Sequence, residues 1–438
     1  MTPAHGSGQT VAVIGDGDLS DEVAAALEAG GATVKRLRQP DEDEVREALD
    51  DSVTSVTVVA REDSFVLRMA LFVRSVSEEV PLLLTIFDET MAEQVTREIQ
   101  NTSVTSLAEI VAPSLAGPCL DEHAVAVDVE GDHPVLLVDE DGELSEEPIP
   151  QLKAHRTEAL ARALFTPYDK SAGLLLYGAI GLVAIFLIET ITAMIVLDNS
   201  AVDAIYGSAK TLVTVDPNLY VDDGPGWYKV FTSATMLVAL VSAAGFTAGL
   251  VNRVVEQRLT GLVGRRAVPR RDHVVVVGLG QVGMRLCLLL RSCGVPVVAV
   301  ERDKAAGSIG LARELGLPVV IGRGSDRSLM GRLSLHKARA VAAVTGDDLE
   351  NISVAMTARG LEQDIRVVMR VGDGDVANET RSLLALGLIR DVHRIAAALI
   401  ASMALGDDAE SVVCLGDDAH LRFPDGRLQE VELQTLAE

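Results

Sequence analysis

The sequence predicts a mixed fold: two Rossmann-like, doubly wound α/β domains flank a membrane segment of two α-helices. Three observations predict it. Two apolar runs, Ala172 to Leu197 and Val230 to Val251, are long enough to cross a hydrocarbon core of roughly 30 Å as helices. A strand, glycine turn and helix open the C-terminal half at His273. A degenerate copy of the same pattern opens the N-terminal half at Val11.

Composition sets the bounds. A chain of 438 residues is long enough for two or three domains with separate cores. With 48% hydrophobic but only 3% aromatic residues, Val, Leu, Ile and Ala must fill those cores. The formal net charge of −26 argues against a nucleic-acid partner, because gripping phosphates takes a basic face. It reads as a solvated acidic surface. Cys119, Cys287, Cys293 and Cys414 are scattered, without CxxC spacing or a neighbouring His pair. Neither a metal site nor a disulfide framework is expected, and a reducing compartment fits. Met1 to Thr10 carries no basic stretch followed by an apolar run, so no secretory leader is expected.

The first expected domain, 1–122, begins on the strand Val11-Ala-Val-Ile. Gly15 and Gly17 follow, but Ser20 stands in the place of the third glycine. Strands at Thr33–Leu37, Ser55–Ala60 and Pro81–Ile86 continue the pattern, with about one βα unit missing before Ser55. Arg36 and Arg38 sit where a ribose-binding acid would end the second strand. Asp16 and Asp18 bring to the helix N-terminus the negative charge a phosphate would supply. This copy reads as structural. Residues 123–150 read as a β-hairpin appendage turning at Asp141-Gly142. Its acids (Asp139, Glu140, Asp141, Glu143, Glu146 and Glu147) also suit a calcium loop, but the Asp-Gly falls where the second copy makes a plain turn.

A cytoplasmic linker, 151–170, leads to the membrane module, 171–252. Glu189 is the single charge in the first apolar run, and the second run has none. Lys153, Arg156, Arg162 and Lys170 precede the first run, and Arg253, Arg258, Arg265, Arg266, Arg270 and Arg271 follow the second. The segment between them is mostly acidic. The bias of basic residues predicts a two-span protein of the cell membrane, seated in lipid, with both termini cytoplasmic.

After a basic linker, 253–272, the second domain covers 273–408. An apolar strand from His273 runs into Gly278, Gly280 and Gly283 and then a helix, Met284 to Ser292. The next strand, Val297 to Val300, ends in Glu301, at the distance expected of a ribose-binding carboxylate. The glycines let backbone approach a pyrophosphate at the helix N-terminus. Apolar strands at Pro318–Ile321, Ala340–Val344 and Arg366–Val371 complete a parallel, doubly wound pattern. A second hairpin appendage, 409–438, turns at Asp425-Gly426 and repeats the first.

From Asp272 to about Leu405 the chain resembles the nucleotide-binding half of the RCK family, the regulators of potassium conductance, also called TrkA-N domains. The matching motifs are Gly278-Leu-Gly-Gln-Val-Gly, Ala299-Val-Glu-Arg-Asp, Gly322-Arg-Gly-Ser, Thr345-Gly-Asp-Asp-Leu-Glu-Asn351 and Arg366-Val-Val-Met-Arg370. The resemblance implies that Gln281, Val282, Arg302, Arg323, Ser325, Thr345, Asp347 and Arg370 join Gly278, Gly280, Gly283 and Glu301 in the ligand site. It implies NAD(H), or else another adenine nucleotide. Arg302 beside Glu301 leaves NADP open. The family usually has an aspartate where Arg323 stands, which leaves the nucleotide's identity open.

The membrane module resembles the two-helix pore of potassium channels. There a pore helix ends in Thr-Leu-Thr-Thr-Val-Gly-Tyr-Gly-Asp, and Thr211-Leu-Val-Thr-Val215 matches its first part. Residues 203–215 are then a re-entrant pore helix. Thr214, Val215, Asp216, Pro217 and Asn218 form an atypical filter, because glycine conformations that strip water from potassium are not open to proline. The resemblance implies the pore architecture without potassium selectivity.

The function implied is a ligand-gated channel for a monovalent cation. It is a homo-oligomer, tetrameric by resemblance, with a ring of eight RCK-like units. The alternative is a non-conducting membrane sensor that binds a nucleotide and signals to a partner. An enzyme is the third reading. No catalytic Lys/Tyr or His/Asp constellation accompanies the fold, so no enzymatic activity is expected. Glu189 and Lys210, opposite in sign and each the only charge on its embedded stretch, are expected to pair behind the filter.

Overall fold

The structure is a computed structural model that describes residues 8–129, 134–140, 143–149, 170–213, 221–256, 262–263, 271–372, 374–383, 386–416 and 418–431. The chain divides into two compact units. One joins residues 1–152 to residues 263–438, and the other is the segment 153–262 between them.

Parallel strands form both sheets; the inner ones are runs of Val, Ala, Ile and Leu buried on both faces, and edge strands stay partly exposed. In the first copy these are β1 (Thr10–Ile14), β2 (Thr33–Leu37), β3 (Ser55–Val58), β4 (Leu82–Thr85) and β5 (Thr102–Thr105), ordered β2-β1-β3-β4-β5. Two three-stranded antiparallel sheets are described below; the strands of the first are β6 (Ala124–Asp128), β7 (Val135–Glu140) and β8 (Glu143–Pro148). The second copy contributes β9 (His273–Val277), β10 (Val297–Glu301), β11 (Val319–Ile321), β12 (Ala338–Ala343), β13 (Arg366–Val371) and β14 (Leu388–Asp391). Their order is β14-β13-β12-β9-β10-β11. Matching the two orders leaves β11 without a counterpart. In the first copy, α2 (Glu42–Ala48) alone carries the chain from β2 to β3, so the shortening read from the sequence is the loss of that strand.

The helices that follow β1 and β9 are α1 (Asp18–Ala29) and α9 (Gln281–Ser292). The last helices of each copy are α5 (Leu107–Leu120) and α14 (Val392–Ala404). Both are apolar all round, and 11 residues of each are buried. That is the signature of a core helix. α1 packs on α14 and α9 on α5, a reciprocal arrangement that puts both copies around one hydrophobic core. Polar contacts cross the same seam: Arg285 Nη1 donates to Glu89 Oε1 at 2.5 Å and Nη2 to Glu109 Oε1 at 2.9 Å.

The two appendages differ from expectation. Each is a separate three-stranded antiparallel sheet rather than a hairpin added to the parallel sheet. The second contains β15 (Ser411–Leu415), β16 (Asp418–Arg422) and β17 (Leu428–Glu430). The reason is packing between copies: Val125, Ala126, Leu137 and Val413 form a small core of their own. The turn at Asp425-Gly426 is formed, with Gly426 at φ +78. Asp141-Gly142 lies outside the described residues.

Burial also sets the chemistry of the thiols. Cys119 on α5 and Cys287 on α9 are fully buried, and loss of hydration pushes both up to about 12. Half-buried Cys293 is raised to about 11 for the same reason. Only the thiolate is nucleophilic, so Cys119 and Cys287 are expected to resist a disulfide-exchange reagent at pH 8 and to react fully in denaturant. Rapid labelling of both in the folded protein would contradict the packing described.

In the other unit, α6 (Lys170–Val196) and α8 (Gly226–Glu256) pack along each other, with α7 (Ala201–Leu212) against both. Leu176–Val196 and Gly226–Val251 are long and apolar enough to cross a membrane. Unlike α5 and α14, they leave large apolar side chains such as Val183, Ile195 and Val241 exposed. The filter positions Thr214, Val215, Asp216, Pro217 and Asn218 lie outside the described residues, and α7 covers the pore-helix positions up to Leu212.

The expected Glu189–Lys210 pair does not form. Glu189 is completely buried and accepts a hydrogen bond from Thr235 of α8. Lys210 Nζ lies 5.5 Å from the centroid of the Tyr206 ring. The packing of α6 on α8 places the Thr235 hydroxyl against this carboxylate, and among the described residues no ion pair joins it to Lys210.

Candidate functional site

In a doubly wound sheet, ligands bind beyond the carboxyl ends of the strands where the order reverses. A cleft of about 840 Å³ occupies that position in the second copy. This lies within the roughly 300–1,000 Å³ typical of cofactor sites. Its centre is the turn between β9 and α9. Gly278, at φ +98, passes so close to β12 that an added Cβ would stand 2.8 Å from the Thr345 Cα. A Cβ on Gly283 would stand 1.8 Å from the Gly278 carbonyl oxygen. Gly280 differs: it caps α9, and a Cβ there would meet nothing within 4 Å. The two flanking glycines hold the turn tight, and the middle one opens it to the cleft.

Glu301, at the end of β10, faces this turn. Its Oε2 accepts from the Leu279 N–H and its Oε1 from the Asp303 N–H, both at 2.9 Å. Each oxygen keeps a further lone pair. Arg302 Nη1 bridges to Glu350 Oε2 at 3.0 Å. Buried Asn351 ties the ends of β12 and β13 together. It accepts from the Thr345 Oγ1 at 2.8 Å and donates to the Arg370 carbonyl at 3.0 Å. Asp347 caps the helix Asp348–Leu361 by accepting from the Glu350 N–H at 3.1 Å.

Two basic side chains sit deeper. Burial pulls Arg370 below its ordinary range, Asp348 opposes the shift, and the positive charge of Arg61 adds to it. Burial likewise depresses His393, with Arg370 assisting and Asp391 and Asp18 opposing, so the imidazole is neutral at pH 7.

Of the residues expected in the site, Gly278, Gly280, Gln281, Val282, Glu301, Arg302, Thr345, Asp347 and Arg370 line the cleft, with Gly283 directly behind it. Arg323 and Ser325 do not. Gly322 and Gly324 face the cleft, and the turn between them carries Arg323 out to solvent. Ser325 is turned toward the helix Asp348–Leu361, its carbonyl accepting from Thr357 Oγ1 at 3.2 Å.

Sequence reasoning missed the opposite wall. It is made by the first copy's strand ends, including Asp16, Gly17, Asp18, Arg61, Asp63 and Phe87, together with His393 of the second. The internal repeat was the available signal: two copies packed reciprocally turn their strand ends toward a common space.

Residues 274–389 match the TrkA-N domain. The chain is 22% identical over 200 residues to "Potassium channel protein 1" of Methanocaldococcus jannaschii, covering 44% of this chain and 59% of that protein. It is 23% identical over 212 residues to "Voltage-gated potassium channel Kch" of Escherichia coli, covering 48% of this chain and 49% of that one. The chain thus spans about half the length of these curated relatives. Among solved structures it resembles "GsuK channel bound to NAD" at 12% identity and a TM-score of 0.52, covering 91% of this chain and 64% of that one. That likeness concerns the fold. The chain therefore carries a TrkA-N domain, a second, shorter Rossmann-like copy and two candidate membrane helices, and it is similar to potassium-channel proteins.

Proposed function

We propose that the chain is a subunit of a nucleotide-gated, potassium-channel-like membrane protein whose second copy binds NAD(H). The observation that carries this reading is the open glycine turn at the N-terminus of α9, facing the cleft of about 840 Å³. The first-turn N–H groups of α9 lack intrahelical partners and suit a pyrophosphate, and Gly280 leaves room for it. Glu301 keeps acceptor capacity for ribose hydroxyls and disfavours a 2′-phosphate. The relatives' printed names as potassium channels, and a structural neighbour solved with NAD, support the same reading.

Two spans enclose no pore, so subunits must assemble. Four chains with two RCK-like copies each supply a ring of eight. The basic residues flanking the spans support a cytoplasmic position for both termini. The ligand acts as a signal here, and no enzymatic step is proposed. It shifts gating only by as much as it prefers one ring conformation over the other.

One observation favours a second reading. Asp216-Pro217-Asn218 replaces the glycines of a potassium filter, which suits a sensor that does not conduct. Potassium flux from liposomes containing the full-length protein, measured with and without NAD, separates the two. NAD-dependent flux is expected. Binding of NAD without flux under any condition would leave only the sensor, and absence of both would overturn both readings.

A further inference from the structure

The cleft belongs to both copies. Its first-copy wall is built from loops that follow β1, β3, β4 and β5, and the equivalent loops of the second copy also line the cleft. At the end of β3 stands Arg61, where the equivalent position in the second copy is Gly346. Arg61 is exposed to the cleft and close enough to Arg370 for its charge to be felt there.

Asp348 lends Arg370 part of a counter-charge while itself accepting from the Gly372 N–H at 3.0 Å. Most acids in the lining are committed to the protein's own donors. Asp63 accepts from the Phe87 and Asp88 N–H groups at 3.0 and 2.9 Å. Glu301 and Asp347 accept from backbone, Asp16 is bonded to Gln39, and Glu350 is paired with Arg302. Arg370, by contrast, has its Nε buried without a hydrogen-bond partner among the described residues. Two guanidinium groups that face a common space and repel each other are stable there when an anion sits between them. Guanidinium forks suit phosphate oxygens in particular.

We propose that Arg61 of the first copy and Arg370 of the second form a two-sided clamp on the phosphates of the ligand, so that a phosphate-bearing ligand bridges the copies. The proposal deepens the nucleotide reading given above and makes the first copy part of the site rather than a support for it. It also gives the ligand a means of acting, since bridging favours whichever arrangement of the copies brings the two arginines together.

The test is calorimetric titration of the full-length protein in detergent micelles with NAD, ADP and inorganic pyrophosphate, using wild type, Arg61→Gln and Arg61→Lys. Melting curves verify that the variants fold, as expected for an exposed loop position. A hydrogen bond to a charged group contributes about 1.5–3 kcal/mol, so Arg61→Gln is expected to weaken NAD and ADP roughly tenfold to a hundredfold, with partial recovery in Arg61→Lys. Unchanged affinities in Arg61→Gln would overturn the clamp and leave the nucleotide reading standing. Pyrophosphate binding that depends on Arg61, without any nucleotide binding, would support the clamp and overturn the nucleotide reading. If wild type bound none of the three, both would fall.

Discussion

Gly283→Ala is expected to collapse the ligand turn, and Gly280→Ala to leave it standing but closed. The new Cβ at Gly283 would lie 1.8 Å from the Gly278 carbonyl oxygen, which is backbone and has no rotamer to escape into. The first turn of α9 must therefore move off the β9 turn. Overpacking of this kind costs about 1–3 kcal/mol, and a backbone contact belongs at the upper end of that range. A melting temperature lowered by several degrees, with NAD binding lost, is the expected result. Gly280 has a negative φ of −72, and an added methyl there would meet nothing within 4 Å, so Gly280→Ala should melt like the wild type. Its methyl would occupy the space that a pyrophosphate needs, and NAD affinity should fall at least tenfold. A Gly280→Ala protein that binds NAD normally would show that the ligand does not approach this turn.

The second large effect is expected where the two antiparallel sheets meet. Arg422 on β16 is hydrogen-bonded to Asp128 on β6, and the two side chains are only 17% and 11% exposed. Removing one member of a buried pair costs about 3–5 kcal/mol, whereas an apolar pair of similar size is often neutral, and Glu146, 3.6 Å from Arg422 Nη2, softens the loss of Asp128. Arg422→Met and Asp128→Leu should each destabilise the unit shared by both copies strongly, and the double variant should regain most of the loss. Chemical denaturation of the four proteins measures the coupling. Simple additivity would mean that the two charges are independently solvated.

The glycine turn was legible in the sequence because backbone geometry leaves few substitutes at Gly278 and Gly283, and Glu301 follows from strand length. Features set by distant neighbours were not legible. β14 reads as Leu-Ile-Arg-Asp, too short and too charged to announce a strand, yet it closes one edge of the sheet with Arg390 buried, its guanidinium donating to the Gly416 carbonyl at 2.8 Å. The third strand of each antiparallel sheet needed a partner sheet that no local pattern announces. Arg323 stood within a family motif, but the turn exposes it. Glu189 and Lys210 match in sign and depth, but the Thr235 hydroxyl that Glu189 accepts from lies 46 positions away in the chain. Arg61 drew no attention in a copy judged by what it lacked.

The reciprocal packing of the copies also dictates an order of events during synthesis. Ser55 Oγ bonds the Ala404 carbonyl across 349 positions of chain, and the apolar surface of α5 waits for α9 and α14 to cover it. Ribosomes deliver the first copy and then both spans before those helices exist. The unit shared by both copies cannot close until after the candidate membrane helices have emerged, and contacts of such long sequence separation form slowly. A chain broken off anywhere before α14 would display an almost wholly apolar helix to chaperones and proteases.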